Sequence, residues 1–205
     1  MKKRIPTLIL CLIFIVPPAL TACSAANPSP SNTSGGAEPS RTDYFDAALT
    51  VAAAIYNSDF NALSDWVSTD NGMIIVPFST VEPGKNLNFT EAQVKAMGTD
   101  STAYAWGVDA ITKKPILLTP ADFFAQYLHD RDFSQAPAVG FNTVLKQGNM
   151  TENVLDIYPD AFTVDLYFPP GQNASSNWAS LKLVFTYTSG KPQLVAIVRS
   201  VMTEQ

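Results

Sequence analysis

The sequence predicts an α+β domain in which N-terminal helices pack on a mainly antiparallel sheet. Three observations carry that prediction. Apolar residues recur at helical spacing from Asp43 to Val67, Thr119-Pro120 opens a later helix, and from Ala161 onward three runs alternate with a period of two.

The chain begins with Lys2, Lys3 and Arg4, followed by an almost unbroken apolar run from Ile5 to Val16 that stops at Pro17-Pro18. A membrane span needs about 20 apolar residues, so this shorter run reads as a leader peptide over residues 1–22 rather than an anchor. Leu20-Thr21-Ala22-Cys23 resembles the lipobox of bacterial lipoproteins. That resemblance implies cleavage between Ala22 and Cys23, lipid such as palmitate on Cys23, and a place on the outer face of the cell membrane. In a Gram-negative host the place would be the outer membrane. Two or more acyl chains anchor stably where one binds marginally, at about 0.8 kcal/mol per buried CH₂. The alternative for Cys23 is a spare cysteine beside an ordinary secretory cleavage site. Cys11 lies within the leader, so no thiol remains beyond Cys23 for a disulfide, nucleophile or metal site.

Removing residues 1–22 leaves 10 basic residues against 18 acidic ones, a net charge of −8. Nucleic acid is a poor partner for such a surface, as is anionic lipid. Residues 23–41 hold the cysteine and an 18-residue stretch, Ser24 to Arg41, without an aromatic or branched apolar residue. It reads as a disordered tether with a root-mean-square span of about 20 to 25 Å. Residues 42–205 are one domain's worth of chain.

Within that domain, Tyr44, Phe45, Ala48, Leu49, Val51, Ala52, Ile55 and Tyr56 form one helical face. Ser58 is placed to cap a second, short helix carrying Phe60, Leu63, Trp66 and Val67 inward, and Asp70-Asn71-Gly72 ends it. Met73 to Phe78 reads as a strand and Glu82 to Asn88 as a loop. Thr90 and Gln93 have the spacing of a capping box. Thr102 to Asp109 alternates, with Tyr104, Trp106 and Val108 on one side, and Ile116 to Leu118 returns beside it. The helix after Thr119-Pro120 turns Phe123, Phe124, Tyr127 and Leu128 inward and His129 to water. Short extended pieces follow between Ser134 and Asn153. Ala161 to Phe168, Ser180 to Thr188 and Gln193 to Met202 then form a meander, the last alternating Leu194, Ala196 and Val198 against Val195, Ile197 and Val201.

This order of elements, with Ile55-Tyr56-Asn57-Ser58-Asp59-Phe60-Asn61-Ala62-Leu63 at the first helix pair, is similar to the cone-shaped α+β fold named after nuclear transport factor 2. The resemblance implies an NTF2-like cone whose helices pack on a strongly bent sheet. Further likenesses cover most of residues 42–205: Asn71 to Phe78, Phe89 to Lys95, Tyr104 to Asp109, Asp130 to Phe133, Gly148-Asn149 and Trp178 to Phe185. These resemble a family of Gram-positive-type bacterial lipoproteins to which no activity is assigned. The chain departs from that family at Ser68, where a histidine is expected, and in the turn after Val108, which lacks the usual glycines.

With one histidine and no cysteine in the folded part, a His- or Cys-rich metal site cannot be built, and no cofactor motif is present. Gly-x-Ser-x-Gly elbow, phosphate loop and dinucleotide fingerprint are all missing. The preferred reading is a non-catalytic binding or interaction domain for an unknown small molecule or envelope protein, with no catalytic residues assigned. A homodimer through the outer sheet face is a further candidate. The alternative is an isomerase- or dehydratase-type pocket working by acid–base chemistry on an apolar metabolite, as relatives of the fold do with an aspartate and a tyrosine or histidine. Tyr104, Trp106, Asp165 and Tyr167 are the candidate ligand-binding residues for such a pocket. Against them stands the plainer expectation that Asp165, alternating with apolar neighbours, faces solvent and that the aromatics are packing. Asp130-Arg131-Asp132 reads as a local salt-bridged cap.

Overall fold

Ser40 starts the domain by closing a reciprocal cap: its backbone N–H donates to Asp43 Oδ2 at 2.7 Å while its hydroxyl accepts from Asp43 N at 3.3 Å. The structure, a computed structural model, describes residues 39–171 and 177–202. Ala22, Cys23, the leader and nearly all of the expected tether lie outside the described residues. Helix α1 spans Arg41–Tyr56, so Ser40 and Arg41 belong to the folded unit and not to the tether. Ser58 does not cap helix α2, Phe60–Ser64; it adopts φ 53° and Asp59 does the capping, with Oδ1 accepting from Ala62 N at 3.0 Å. Helices α3 (Glu91–Ala96) and α4 (Pro120–Tyr127) carry the caps read from the sequence, Thr90 with Gln93 and Thr119 before proline. A fifth helix, α5, covers Val154–Ile157.

Strands β1 (Met73–Val76), β2 (Leu87–Phe89), β5 (Ala138–Phe141), β6 (Phe162–Phe168), β7 (Ala179–Thr188) and β8 (Lys191–Val201) form one bent sheet in the order β2-β1-β8-β7-β6-β5. Part of the expected 82–88 loop is therefore strand: Leu87 pairs with Ile75 and Phe89 with Met73. Strands β3 (Tyr104–Val108) and β4 (Pro115–Leu118) make a separate hairpin. Among the described residues, the pairings between these strands are antiparallel except β1 with β8, where Ile74 to Val76 run alongside Ala196 to Val198. The α+β class, helices on a mainly antiparallel sheet, is the one observed.

The expected alternation of the last strand fails at one residue. Val184 pairs with Ala196 but Phe185 pairs with Leu194, which leaves Val195 as an extra residue in β8. This bulge turns Leu194, Ile197 and Val201 toward the helices and Val195, Ala196 and Val198 to the other face. The helical side is filled by side chains: Trp106 stacks on Phe123 with centroids 3.8 Å apart, Phe123 on Tyr127 at 5.1 Å, and Phe60 meets Phe124 edge-on at 5.0 Å.

The other face is covered by a strap, residues 142–161. Asn142 bonds Thr163 in both directions at 2.8 Å. Asn153 does the same to Val81, at 2.8 and 2.9 Å, and Thr80 Oγ1 donates to Thr151 O at 2.7 Å. Val154, with Val144, Leu155 and Tyr158, packs on Val184, Val195, Ala196 and Val198. The outer face considered for a homodimer is thus occupied by the chain's own strap.

The strap's entry is tight. A Cβ at Gly140 would lie 2.9 Å from Leu145 Cγ and 3.0 Å from the Thr143 carbonyl oxygen. Gly140→Ala is expected to lower stability by about 1–3 kcal/mol, read as a lower urea midpoint; an unchanged midpoint would show that the strap gives way freely.

Candidate functional site

The four residues singled out from the sequence fall into two places. Trp106 on β3 is 3% exposed and donates from Nε1 to Leu118 O at 2.9 Å. Beside it, Tyr104 donates its hydroxyl to Asp100 Oδ2 at 2.8 Å, a bond that raises the tyrosine pKa. The Asp100 carboxyl is held below its usual range, chiefly by the Thr102 backbone N–H. Val108, expected beside Trp106, is instead 57% exposed, because the pairing of β3 with β4 shifts between Ala105 and Gly107. Asp165 and Tyr167 lie on β6 and point to the strap side, Tyr167 with its ring 6.2 Å from Trp178. Asp165 accepts the backbone N–H of Leu145 on the strap at 2.9 Å. The sheet separates the two pairs, so Asp165 shares its face with Tyr167 and not with Tyr104 or Trp106.

Asp165 is also not solvent-facing, as its alternation suggested; it is fully buried beneath the strap. Its carboxyl accepts the Ser180 hydroxyl as well as the Leu145 N–H. Lys182, 0% exposed in the middle of β7, donates to Glu152 Oε1 of the strap at 3.1 Å and to Ser200 Oγ at 2.7 Å. Ser200 in turn accepts from Ser79 Oγ at 3.0 Å. Two carboxylates therefore face one ammonium. Burial pushes the Asp165 carboxyl up, with Lys182 and the Ser180 and Leu145 hydrogen bonds opposing and Glu152 adding to the rise. Lys182 and Glu152 escaped the sequence reading because a strand lysine and a loop glutamate normally signal solvent; only the strap makes that face an interior.

Two further charges were misread. His129 is half-buried, with Nε2 2.8 Å from Ile55 O and 3.2 Å from Ser58 Oγ, and so ties the end of α4 to the α1–α2 junction. Asp130 is more than a local cap. It accepts from Arg199 Nη2 at 2.7 Å, and this 3%-exposed guanidinium on β8 lies over the Phe133 ring at 5.0 Å. Among the described residues, no three His, Cys, Asp or Glu side chains come together to hold a metal ion.

Surface chemistry gathers at two ends of the sheet. Between the first turns of α1 and the β7–β8 hairpin lies a groove of about 630 Å³, whose lining includes Asp43, Asp46, Asp65, Trp66, Tyr187 and Lys191. Asp46 and Asp65 are exposed, whereas Trp66, expected inward, and Tyr187 are half-buried. Lys191 donates to the Asp65 carbonyl oxygen at 3.1 Å. At the other end stands the tip of the β3–β4 hairpin. Asp109 organises it by accepting at Oδ1 from Ile111 N, Thr112 N and Thr112 Oγ1, at 3.0, 2.7 and 2.9 Å. Its Oδ2 accepts the Tyr127 hydroxyl at 2.9 Å. The Thr112 backbone bond leads in holding Asp109 below its usual range, while burial, with Asp109 adding, pushes Tyr127 up to about 12. Around this turn Val108 and Ile111 are 57% and Leu117 62% exposed, next to exposed Lys113 and Lys114.

No protein-family model matches the chain, and no curated protein is similar to it in sequence. Several solved structures are similar, among them these two. One, from Xanthomonas campestris, is described as a calcium/calmodulin-dependent protein kinase II association domain; it is 13% identical, covers 82% of this chain and 92% of its own, and has a TM-score of 0.36. The other, a variant named for nuclear transport factor 2, is 11% identical, covers 78% of this chain and 99% of its own, and has a TM-score of 0.35.

Lys182→Met strands a buried glutamate and is expected to lower stability by about 3–5 kcal/mol, whereas adding Glu152→Leu should recover most of that loss. Urea midpoints of both variants check this, and equal loss in the two would refute the pairing. The raised Asp165 carboxyl binds its proton more tightly folded than unfolded, so its contribution to stability falls as pH rises above the unfolded value of 3.8. Asp165→Asn should therefore gain on the wild type as pH rises from there toward neutrality, measured as the difference in unfolding free energy at each pH; a constant difference would show an unshifted carboxyl.

Proposed function

We propose that the chain is a lipid-anchored, extracytoplasmic binding domain, held to the membrane through Cys23, that engages a cationic and partly apolar partner in the groove between α1 and the β7–β8 hairpin. One observation carries the binding half of this reading. The groove sets three carboxylates and the rings of Trp66 and Tyr187 against a single ammonium, Lys191. Carboxylates attract a cation and aromatic faces hold both its charge and the apolar carbon next to it. The anchor half is supported by Leu20-Thr21-Ala22-Cys23 and by the polar stretch that follows it.

Each half has its own test. The chain extracted from membranes should begin at a Cys23 bearing diacylglycerol in intact-mass measurement, and an unmodified Cys23 in secreted protein would overturn the anchor. For the groove, the probe is a Lys-Leu-Lys tripeptide titrated by NMR into the chain starting at Ser24. Shifts are expected at Asp46, Asp65 and the Trp66 indole, and Asp46→Asn with Asp65→Asn should weaken binding by about tenfold or more. Shifts confined to other surfaces would overturn the reading.

A further inference from the structure

The exposed tip of the β3–β4 hairpin and the groove are opposite in chemistry and stand at opposite ends of the domain. Strand β8 starts at the groove with Lys191 and runs about 25 Å to Arg199, whose carbonyl oxygen accepts from Ser79 N at 2.8 Å. Phe78, next in the chain, packs edge-on against Tyr127, and Tyr127 holds Asp109 in the hairpin turn. The tip and the groove of one molecule therefore cannot meet each other.

We propose that the tip seats in the groove of a second copy of this chain, giving head-to-tail association. This rests on the reading of the groove as a site for a cationic, partly apolar partner, and it names that partner. Charge complementarity favours a second copy: Lys113 and Lys114 concentrate positive charge in a domain of net charge −8, and the groove presents Asp43, Asp46 and Asp65. The apolar parts match too. Val108 and Ile111 are more than half exposed on the tip, and Trp66 and Tyr187 offer half-buried rings in the groove. The tip is held in shape before it docks, by the Asp109 turn and the Tyr127 bond, so little ordering opposes association. The strap occupies the outer sheet face, whereas a tip-to-groove contact is heterologous and leaves a free tip and a free groove at the ends of every open assembly.

The test uses sedimentation velocity on the chain starting at Ser24, which contains the whole compact unit Gly36–Gln205. At low salt the wild type should grow past a dimer with rising concentration, and added salt should reverse this. The variant Lys113→Gln with Lys114→Gln and the variant Asp46→Asn with Asp65→Asn should each stay monomeric at the same concentrations. Mixed together they should form a 1:1 dimer and nothing larger, because each keeps one working surface. A wild type that stays monomeric at millimolar concentration would overturn the second copy as occupant, as would growth that either variant leaves unchanged. Binding of the monomer to anionic phosphatidylglycerol vesicles that depends on Lys113 and Lys114 would likewise overturn it and assign the tip to lipid. If the Lys-Leu-Lys tripeptide still shifts the groove of a monomeric wild type, the groove reading survives alone; if it does not, both fall.

Discussion

A sheet buried on both faces is the constraint from which the rest of this molecule follows. Nine consecutive residues of β8, Pro192 to Ser200, are buried, which an antiparallel sheet with one wet face would not allow. The helices and the β3–β4 hairpin cover one side. The strap must cover the other, and it has little regular structure beyond the four residues of α5. Irregular backbone cannot satisfy its own polar groups, so the strap takes its partners from outside itself: Thr163, Val81, Thr80 and the Asp165 carboxylate.

The buried charges belong to the same arrangement. Lys182 and Glu152 are expensive to desolvate, and their pairing is a weak source of net stability. What the pair does is tie the strap to the middle of β7, because Glu152 is the carboxylate that the buried Lys182 ammonium reaches. The raised Asp165 carboxyl belongs to this positioning: the groups that it meets are the Leu145 N–H of the strap and the Ser180 hydroxyl of β7. On the helical side the same demand for filling is met by aromatic rings, with Trp106, Phe123 and Tyr127 stacked in a row.

Caps, turns and apolar period were legible because they are local. Thr90 with Gln93 and Thr119 before Pro120 both sit where their chemistry put them. What could not be read depends on partners far away in the chain. The Val195 bulge exists only in the pairing of β7 with β8, and it reverses the face of every residue that follows it. Asp165 and Lys182 look like wet strand residues until residues 142–161 are laid over them. The groove draws on three separate stretches, around residues 43–50, 65–66 and 187–192, none of which carries a motif. Its Trp66 packs against the core as read, but it also lines the groove, which the helical period alone does not show.

The parallel pairing of β1 against β8 joins residues 74–76 to residues 196–198. Closing so long a loop is entropically unfavourable until many contacts form together, and such topologies fold slowly. A chain made from its N-terminus cannot seat β1 and β2 against the rest of the sheet until β8 exists. Completion of that strand becomes the signal for the entire structure to set.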